Sequence, residues 1–223
     1  MTNNNDQVLW IAGASGLVGR EALRAAILHA NVSEVVSFVR RKGDASEGKL
    51  RELTVDFSTL TAAQTAEVAA PTVALCALGT TIAKAGSNAA FRAVDFDAVL
   101  HFARAAKERG ARTFVVVTAL GADANSLVFY NRVKGEIEEA LKSLAFESLA
   151  IAQPSLLLGD RDERRVGERI AIVVSRAVGP LLRWLPSRPI EAATVGRAMV
   201  QLAMQPAPGV RVIRSGELHA IGS

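Results

Sequence analysis

VLWIAGASGLVGR, residues 8–20, is the stretch that decides the fold class of this chain. Five apolar residues predict a buried strand, and three glycines spaced at i, i+3 and i+6 follow it directly. The first glycine allows a tight bend, the second lets the backbone approach a pyrophosphate, and the third lets a helix pack close to the sheet. Amides at the start of that helix then face the phosphates. The motif predicts a dinucleotide site formed by Gly13, Ser15, Gly16, Leu17, Val18 and Gly19; a ligand-free strand-to-helix turn is the alternative.

Apolar runs alternate with helical patterns along the rest of the chain. Further strands are expected at 35–39, 53–57, 72–78, 113–118 and 149–153, and helices at 61–69, 88–109 and 129–144. Such alternation predicts βαβ units, and hence an α/β fold with a doubly wound parallel sheet of the Rossmann type. The tail from Ser155 is less regular, and we interpret it as a cap over the sheet edge. We therefore expect one Rossmann-like NAD(P)-binding domain over residues 1–223, with residues 155–190 forming most of a small C-terminal cap on the substrate side.

Composition excludes several classes of protein. Of 223 residues, 50% are hydrophobic and 22% charged, which is typical of a globular chain and not of a disordered one. A single cysteine and three scattered histidines argue against a disulfide framework and against a metal site. The net charge of +4 is spread along the chain and mixed with acids, so we expect no nucleic-acid partner.

The sequence also bears on location. No apolar run approaches the ~18 residues that a membrane span needs, so no transmembrane segment is expected. Residues 1–7 are polar and acidic, unlike a secretory signal peptide. A reducing cytoplasm is therefore the predicted location.

Basic residues stand where the second strand should meet the adenosine ribose. An NAD-binding protein carries an acid there for the 2′-hydroxyl, whereas this chain has Arg40-Arg41 directly after Val39. Guanidinium groups suit a 2′-phosphate through paired, charge-assisted hydrogen bonds, so NADP is predicted, with NADPH preferred over NADH. A solvated basic loop is the alternative. Asp56 and Phe57, at the end of the third apolar run, are candidates for holding the adenine edge.

The fourth strand ends in Leu78-Gly79-Thr80-Thr81, next to the glycine turn of a doubly wound sheet. Ligands bind at the carboxyl ends of such strands. Gly79 would let a cofactor pass close to the backbone, and the threonine hydroxyls can bond phosphate or ribose. These four residues complete the predicted cofactor site on this side of the sheet.

The segment YNRVK, residues 130–134, indicates a family resemblance. Together with the glycine turn, it resembles the short-chain dehydrogenases/reductases of the atypical kind, and more closely the Tat-interacting oxidoreductase subfamily and its bacterial relatives. The segments that carry the resemblance span most of the first 165 residues: 13–19, 76–81, 118–122, 130–136 and 154–161. The resemblance implies that Lys134 also holds the nicotinamide ribose and that Pro154 lies in the segment that passes the nicotinamide.

The tyrosine and the lysine of this segment form a candidate catalytic pair. Tyr130 and Lys134 are at i and i+4, so they share one face of a helix. An ammonium near a phenol favours the phenolate, which makes the phenol a usable general acid or base beside a carbonyl or alcohol. The pair therefore predicts proton transfer to or from a substrate oxygen.

A hydroxyl group is the expected third member of this catalytic set. The resembled family usually places serines at the end of the fifth strand, where this chain has Thr118-Ala119. Thr118 can donate a hydrogen bond to the substrate oxygen and Ala119 cannot, so Thr118 is the candidate, with Ser126 as a weaker substitute. Threonine also suits strands for purely structural reasons.

Three functions are compatible with these features. The first is NADPH-dependent reduction of a small carbonyl substrate by hydride transfer, with the Tyr130–Lys134 pair relaying the proton. The second is a non-catalytic NADP(H)-binding redox sensor or regulator of a protein partner, which Ala119 favours. The third, a nucleotide-sugar epimerase or dehydratase, is disfavoured by the short tail. Small alanines in the predicted helices at 88–109 and 129–144, including Ala89, Ala90, Ala103, Ala105 and Ala106, suit a homodimer, with close packing on the sheet as the alternative and a monomer left open.

Overall fold

The computed structural model describes residues 6–41, 48–158 and 189–223. Within these ranges seven parallel strands form one sheet in the order β3-β2-β1-β4-β5-β6-β9. The strands are β1 (Gln7–Ala12), β2 (Val32–Val39), β3 (Leu50–Thr54), β4 (Val73–Cys76), β5 (Thr113–Val117), β6 (Ser148–Gln153) and β9 (Gly209–Arg214). Strands β7 (Leu157–Leu158) and β8 (Ile190–Glu191) pair separately. The predicted α/β fold with a doubly wound parallel sheet is confirmed.

Helices cover both faces of the sheet. They are α1 (Leu17–Leu28), α2 (Ile82–Ala85), α3 (Asn88–Arg92), α4 (Val99–Glu108), α5 (Phe129–Lys142) and the C-terminal helices Ala192–Met204 and Ser215–Gly222. A π-helical turn, Ala93–Ala98, joins α3 to α4, and a short 3-10 turn spans Ala62–Thr65. No helix in the described ranges is long and apolar enough to cross a membrane.

Strand β1 shows how the sheet is buried on both sides. Trp10 and Ala12 point into the cluster beneath α4 and α5, whereas Leu9 and Ile11 point into the cluster beneath α1 and helix Ala192–Met204. All four side chains are 0% exposed. Burial of alternate residues on opposite faces explains why the strand is a continuous apolar run rather than an alternating one.

The strand order reverses direction between β1 and β4. From β1 the chain winds outward to β2 and β3 on one side and, after crossing over, to β4, β5 and β6 on the other. A crevice opens at such a switch point, at the carboxyl ends of the strands, and ligands of doubly wound sheets bind there. The glycine turn after β1 and residues 78–81 after β4 both lie at this edge.

Several elements differ from their predicted bounds, and the helix predicted at 61–69 is wrong, because only a 3-10 turn over Ala62–Thr65 forms there. The expected continuous helix 88–109 contains the π-helical turn, a rare form that is often found at functional sites. The third strand was expected at 53–57 but spans Leu50–Thr54, because the Asp56 carboxylate accepts the Ser58 amide (2.9 Å) and turns the chain.

The described C-terminal part of the tail, residues 189–223, is more regular than the sequence predicted. Strand β9 extends the main sheet beside β6, and helix Ala192–Met204 packs against α1 so closely that a Cβ on Gly196 would lie 2.6 Å from the Ala22 amide nitrogen. The interpretation of the whole tail as a cap is therefore wrong for residues 192–223. The predicted cap over 155–190 lies mostly outside the described residues, since 159–188 are not among them.

Candidate cofactor and active site

Backbone contacts explain two of the three glycines after β1. Gly13 adopts a φ of +85°, and a Cβ there would lie 2.5 Å from the Ala77 carbonyl carbon. A Cβ on Gly19 would lie 2.0 Å from the Gly13 oxygen. Both distances are far shorter than any van der Waals contact, so α1 can start this close to β4 only with glycine at both positions.

The start of α1 is suited to an anion. Gly16 is the N-cap residue, so no side chain bonds the first amides, and the first turn carries no acid. Ser15 and Gly16 are exposed. The first amides of a helix have no partner within it, and the dipole favours negative charge there. These features of the turn suit an anion, and binding of a pyrophosphate by Gly13, Ser15, Gly16, Leu17, Val18 and Gly19 stays a prediction.

The two arginines are placed at the same edge of the sheet. Arg40 and Arg41 directly follow β2, which neighbours β1, and both are exposed. Asp56 is exposed as well, and hydrogen bonds from the Ser58 hydroxyl and amide lower the pKa of its carboxyl. The Phe57 ring, in contrast, belongs to the buried core, so its side chain does not offer a surface to an adenine ring.

The segment after β4 is tied to the helix that follows it. Gly79 is exposed, and the Thr80 amide donates to Asp95 Oδ2 (2.9 Å). The Thr81 hydroxyl oxygen accepts the Lys84 amide (3.1 Å) and so caps α2. Leu78 is partly buried against the core. Of the predicted contacts here, Gly79 is the most open to the crevice.

Lys134 forms a buried ion pair that the sequence analysis did not anticipate. Its Nζ lies 2.6 Å from Asp95 Oδ1, and the two side chains are 6% and 0% exposed. Burial disfavours the ammonium, but the Asp95 carboxylate, with a smaller contribution from Tyr130, outweighs this and raises the pKa of Lys134 above its usual value. A fixed positive charge is therefore held at the carboxyl end of β4, close to Gly79.

Tyr130 lies on the same face of α5 as Lys134. It is in the first turn of the helix, and its ring packs against Phe91, with the ring centroids 5.4 Å apart. Tyr130 and Lys134 are four positions apart on α5, a spacing at which side chains are neighbours on the helix surface. The structure thus brings together Tyr130, Lys134 and Asp95 at the edge where the glycine turn also lies.

Thr118 differs from its expected role. Its hydroxyl was predicted to donate to a substrate oxygen, but Oγ1 donates to Glu138 Oε1 (2.6 Å) and is buried. A hydroxyl has one hydrogen to donate, and the Glu138 carboxylate accepts that of Thr118. In this state Thr118 therefore does not donate to a substrate oxygen. The substitute candidate Ser126 uses its oxygen to accept the Val128 amide (3.2 Å). Pro154 is buried, and its carbonyl accepts the Leu120 amide (3.0 Å).

Cys76 is buried beside this site. It is 0% exposed, and burial raises the pKa of its thiol to about 12, so the thiol stays protonated and packs as a small apolar group. The described residues hold no group of three or more His, Cys, Asp or Glu able to bind a metal ion.

Three residues of the site were missed at the level of sequence: Asp95, Glu138 and Gln153. Asp95 stands at helical spacing from Phe91 and Phe102, on the apolar stripe of its helix, and a lone acid on such a stripe is the signal that could have found it. Glu138 carries a similar signal, since it lies between buried Ile137 and Leu141 on α5.

The loop after β5 packs against the helix that carries the catalytic candidates. A Cβ on Gly135 would lie 2.1 Å from the Ala124 nitrogen, and the Asp123 amide donates to the Asn131 carbonyl (3.0 Å). Gly135→Ala should therefore destabilise the protein by about 1–3 kcal/mol, through overpacking, although alanine is the better helix former. Urea unfolding measures this, with Gly216→Ala as control because no atom lies within 4 Å of that Cβ position. A Gly135→Ala variant as stable as the parent would contradict the close packing.

The Rossmann-type sheet and the glycine turn after β1 are the features of an NAD(P)-binding protein. Residues 13–156 match the protein family described as NAD(P)H-binding. The chain belongs to that family, and the resemblance to the atypical dehydrogenases/reductases is confirmed.

Curated relatives cover nearly the whole chain. Protein HTATIP2 of Rattus norvegicus is 35% identical over 210 residues, which is 90% of this chain and 83% of that protein. The mitochondrial protein fmp52 of Emericella nidulans is 33% identical over 201 residues, 87% of this chain and 86% of that protein. A solved oxidoreductase of the short-chain dehydrogenase/reductase family from Burkholderia thailandensis superposes with a TM-score of 0.69 at 17% identity, covering 96% and 93% of the two chains. That likeness shows the fold alone.

The relatives correct the predicted location. Fmp52 proteins of Emericella nidulans, Candida albicans, Coccidioides immitis and Eremothecium gossypii, 32–34% identical to this chain, are named mitochondrial. The prediction of a cytoplasmic location is therefore wrong. A chain with one cysteine suits any reducing compartment, so the cysteine count could not distinguish one such compartment from another.

Proposed function

We propose that the protein is an NADPH-dependent oxidoreductase that reduces a small carbonyl substrate. The observation that carries this proposal is the buried Asp95–Lys134 ion pair on the same face as the chain's single tyrosine, beside a dinucleotide-type glycine turn. A protein that only binds a dinucleotide has no need of a tyrosine held beside a buried ammonium. The arrangement suits proton transfer next to a hydride donor.

When bound, the reduced cofactor supplies the hydride that the carbonyl carbon accepts. Tyr130 gives its phenolic proton to the carbonyl oxygen, so that the substrate leaves as an alcohol. Lys134 stabilises the phenolate that remains, and Asp95 keeps the lysine charged and in place. Solvent returns a proton to Tyr130 after the step. We also propose that Lys134 contacts the nicotinamide ribose and that Pro154 borders the nicotinamide.

The other proposed cofactor contacts follow the edge of the sheet. The glycine turn would hold the pyrophosphate, and Asp56 would accept from the adenine amino group. Gly79 is exposed. Together with its neighbours Leu78, Thr80 and Thr81, it would border the cofactor where the cofactor runs from the glycine turn to the catalytic pair. These roles use the amides and hydroxyls that the local backbone places at the carboxyl ends of β1, β3 and β4.

Arg40 and Arg41 should make NADPH bind more tightly than NADH. Each charge-assisted hydrogen bond to a 2′-phosphate contributes about 1.5–3 kcal/mol, so Arg40→Ala combined with Arg41→Ala should weaken NADPH binding at least roughly tenfold and leave NADH binding nearly unchanged. Calorimetric titration of both cofactors measures this. Arg104→Ala, an exposed arginine on α4, is the control and should alter neither affinity. A preference for NADH, or equal affinities for the two cofactors, would contradict the assignment of Arg40 and Arg41 to the 2′-phosphate.

Three apolar side chains are exposed on the segments that precede Tyr130 and follow Pro154. Leu127 and Val128, before α5, are 97% and 59% exposed, and Leu156, after β6, is 51% exposed. Exposed side chains of this size at the mouth of a ligand site favour a substrate with an apolar substituent. We therefore propose alkyl or aryl aldehydes and ketones as the substrate class.

A panel of such carbonyls, followed by the absorbance of NADPH, tests the proposed function. Consumption should exceed that of the Tyr130→Phe variant for at least one member, and KM should fall as the alkyl chain lengthens. If no member is reduced faster by the parent protein than by Tyr130→Phe, the reductase proposal fails. The non-catalytic NADP(H) sensor then remains, which Ala119 and the engaged hydroxyl of Thr118 favour.

Assembly is a separate proposal. We propose a homodimer through the outer faces of α4 and α5, since the α4 alanines Ala103, Ala105 and Ala106 are themselves buried in the core and α5 holds one alanine, Ala140. Light scattering that shows only monomer at micromolar concentration would remove the dimer without affecting the proposed chemistry.

A further inference from the structure

A buried carboxyl group connects α5 to the ends of two strands. Glu138 Oε1 accepts the Thr118 hydroxyl (2.6 Å) at the end of β5. Gln153, the last residue of β6, donates its Nε2 to both oxygens of Glu138, at 3.0 and 3.1 Å. All three residues are buried. Glu138 lies one helical turn beyond Lys134, on the helix that carries Tyr130, yet the proposed chemistry has not used it.

The cluster of Thr118, Glu138 and Gln153 has two hydrogen-bonding states, which differ in whether the Glu138 carboxyl carries a proton. An ionised carboxylate only accepts, so the single hydrogen of Thr118 must point at Glu138, and Thr118 offers only lone pairs to the substrate site. A protonated carboxyl can donate to the Thr118 oxygen while its other oxygen still accepts from Gln153. The Thr118 hydrogen is then released, and a substrate carbonyl oxygen can accept it in competition with the Ala152 carbonyl, which lies 3.5 Å from Oγ1.

We propose that Glu138 is a positioning residue that sets the direction of the Thr118 hydrogen bond, so that Thr118 donates to the substrate oxygen only when Glu138 carries a proton. This inference rests on the proposed reductase function. It explains how a hydroxyl that faces a carboxylate in the structure can still orient a carbonyl substrate.

The surroundings of Glu138 favour the protonated form of its carboxyl more than water does. Burial raises the pKa of this carboxyl above its usual value, and the hydrogen bonds from Thr118 and Gln153 and the charge of Lys142 only partly oppose this. Glu139 raises it further, whereas Lys134 is engaged by Asp95. The protonated fraction, and with it the donating form of Thr118, therefore decreases as pH rises through this raised pKa.

Glu138→Gln imitates the protonated state with little change in shape. The glutamine oxygen can accept from Gln153, and its amide can donate to Thr118. We expect the parent protein to lose carbonyl turnover, roughly tenfold for the loss of one such hydrogen bond, as pH rises through the Glu138 pKa. Glu138→Gln should keep the higher rate at all pH values, without the decrease in turnover that the parent protein shows as pH rises. Thr118→Ser keeps the hydroxyl and should show the same decrease as the parent protein. A Glu138→Gln profile that keeps the same decrease would overturn the proposal.

An infrared pH titration tests the same coupling without turnover. The protonated-carboxyl band that titrates in the parent protein should be missing in Glu138→Gln. Because the Thr118 hydrogen bond lowers the pKa of Glu138, Thr118→Val should shift this titration to higher pH, and Thr118→Ser should restore it. A titration unmoved by Thr118→Val would overturn the proposal. If no carbonyl of the panel is reduced, the proposed reductase function fails. The infrared titration then still tests whether Glu138 and Thr118 are coupled.

Discussion

Tyr130→Phe is expected to lower carbonyl turnover by at least ~10², and by up to ~10⁴, because positioned proton transfer contributes that much to a rate. The change removes one hydroxyl and keeps the ring that packs on Phe91. Affinity for NADPH should therefore stay nearly intact, and so should the urea midpoint. Steady-state kinetics and calorimetric titration of the same preparation measure the two quantities together.

Two other outcomes of this substitution are informative. Lost cofactor affinity together with lost turnover would mean that the tyrosine binds rather than transfers a proton. Unchanged NADPH-dependent turnover would show that the phenol has no part in the chemistry, and the sensor function would then replace the reductase.

Lys134→Met is expected to destabilise the fold by about 3–5 kcal/mol, because it leaves the Asp95 carboxylate buried without its charge partner. Asp95→Asn should have a comparable cost, since it strands the ammonium instead. The double variant should be markedly more stable than the sum of the two single losses predicts, because neither uncompensated charge remains. Urea unfolding of the four proteins gives the coupling free energy.

A matched control lies on the same helix. Lys142 Nζ is 2.7 Å from Glu139 Oε1, but these side chains are 34% and 63% exposed. Lys142→Met should therefore change stability by at most about 1 kcal/mol. Equal losses in Lys134→Met and Lys142→Met would contradict the claim that burial gives the Asp95–Lys134 pair its importance.

Features encoded by local spacing could be predicted from the sequence. The glycine turn depends on three positions within seven residues, and the shared face of Tyr130 and Lys134 follows from helical periodicity alone. The parallel sheet likewise follows from the alternation of apolar runs with helical patterns. These are constraints that neighbouring residues impose on each other, so no tertiary information is needed to infer them.

Features that depend on contacts between distant segments could not be predicted in this way. Asp95 and Lys134 are 39 positions apart in the chain, and their pairing depends on the π-helical turn that interrupts the expected helix. The direction of the Thr118 hydroxyl depends on Glu138, which approaches β5 only because α5 packs there. Strand β9 was missed because, as an edge strand, it is mostly exposed and lacks the apolar run of the inner strands.

Transfer of deuterium from NADPH that carries deuterium at both C4 positions to a carbonyl substrate tests the central claim most directly. Mass spectrometry of the product should show deuterium on the carbinol carbon, in proportion to the NADPH consumed, and this product should almost disappear with Tyr130→Phe. An alcohol formed without deuterium, or full NADPH binding with no alcohol formed from any member of the carbonyl panel, would contradict the assignment of the protein as a reductase.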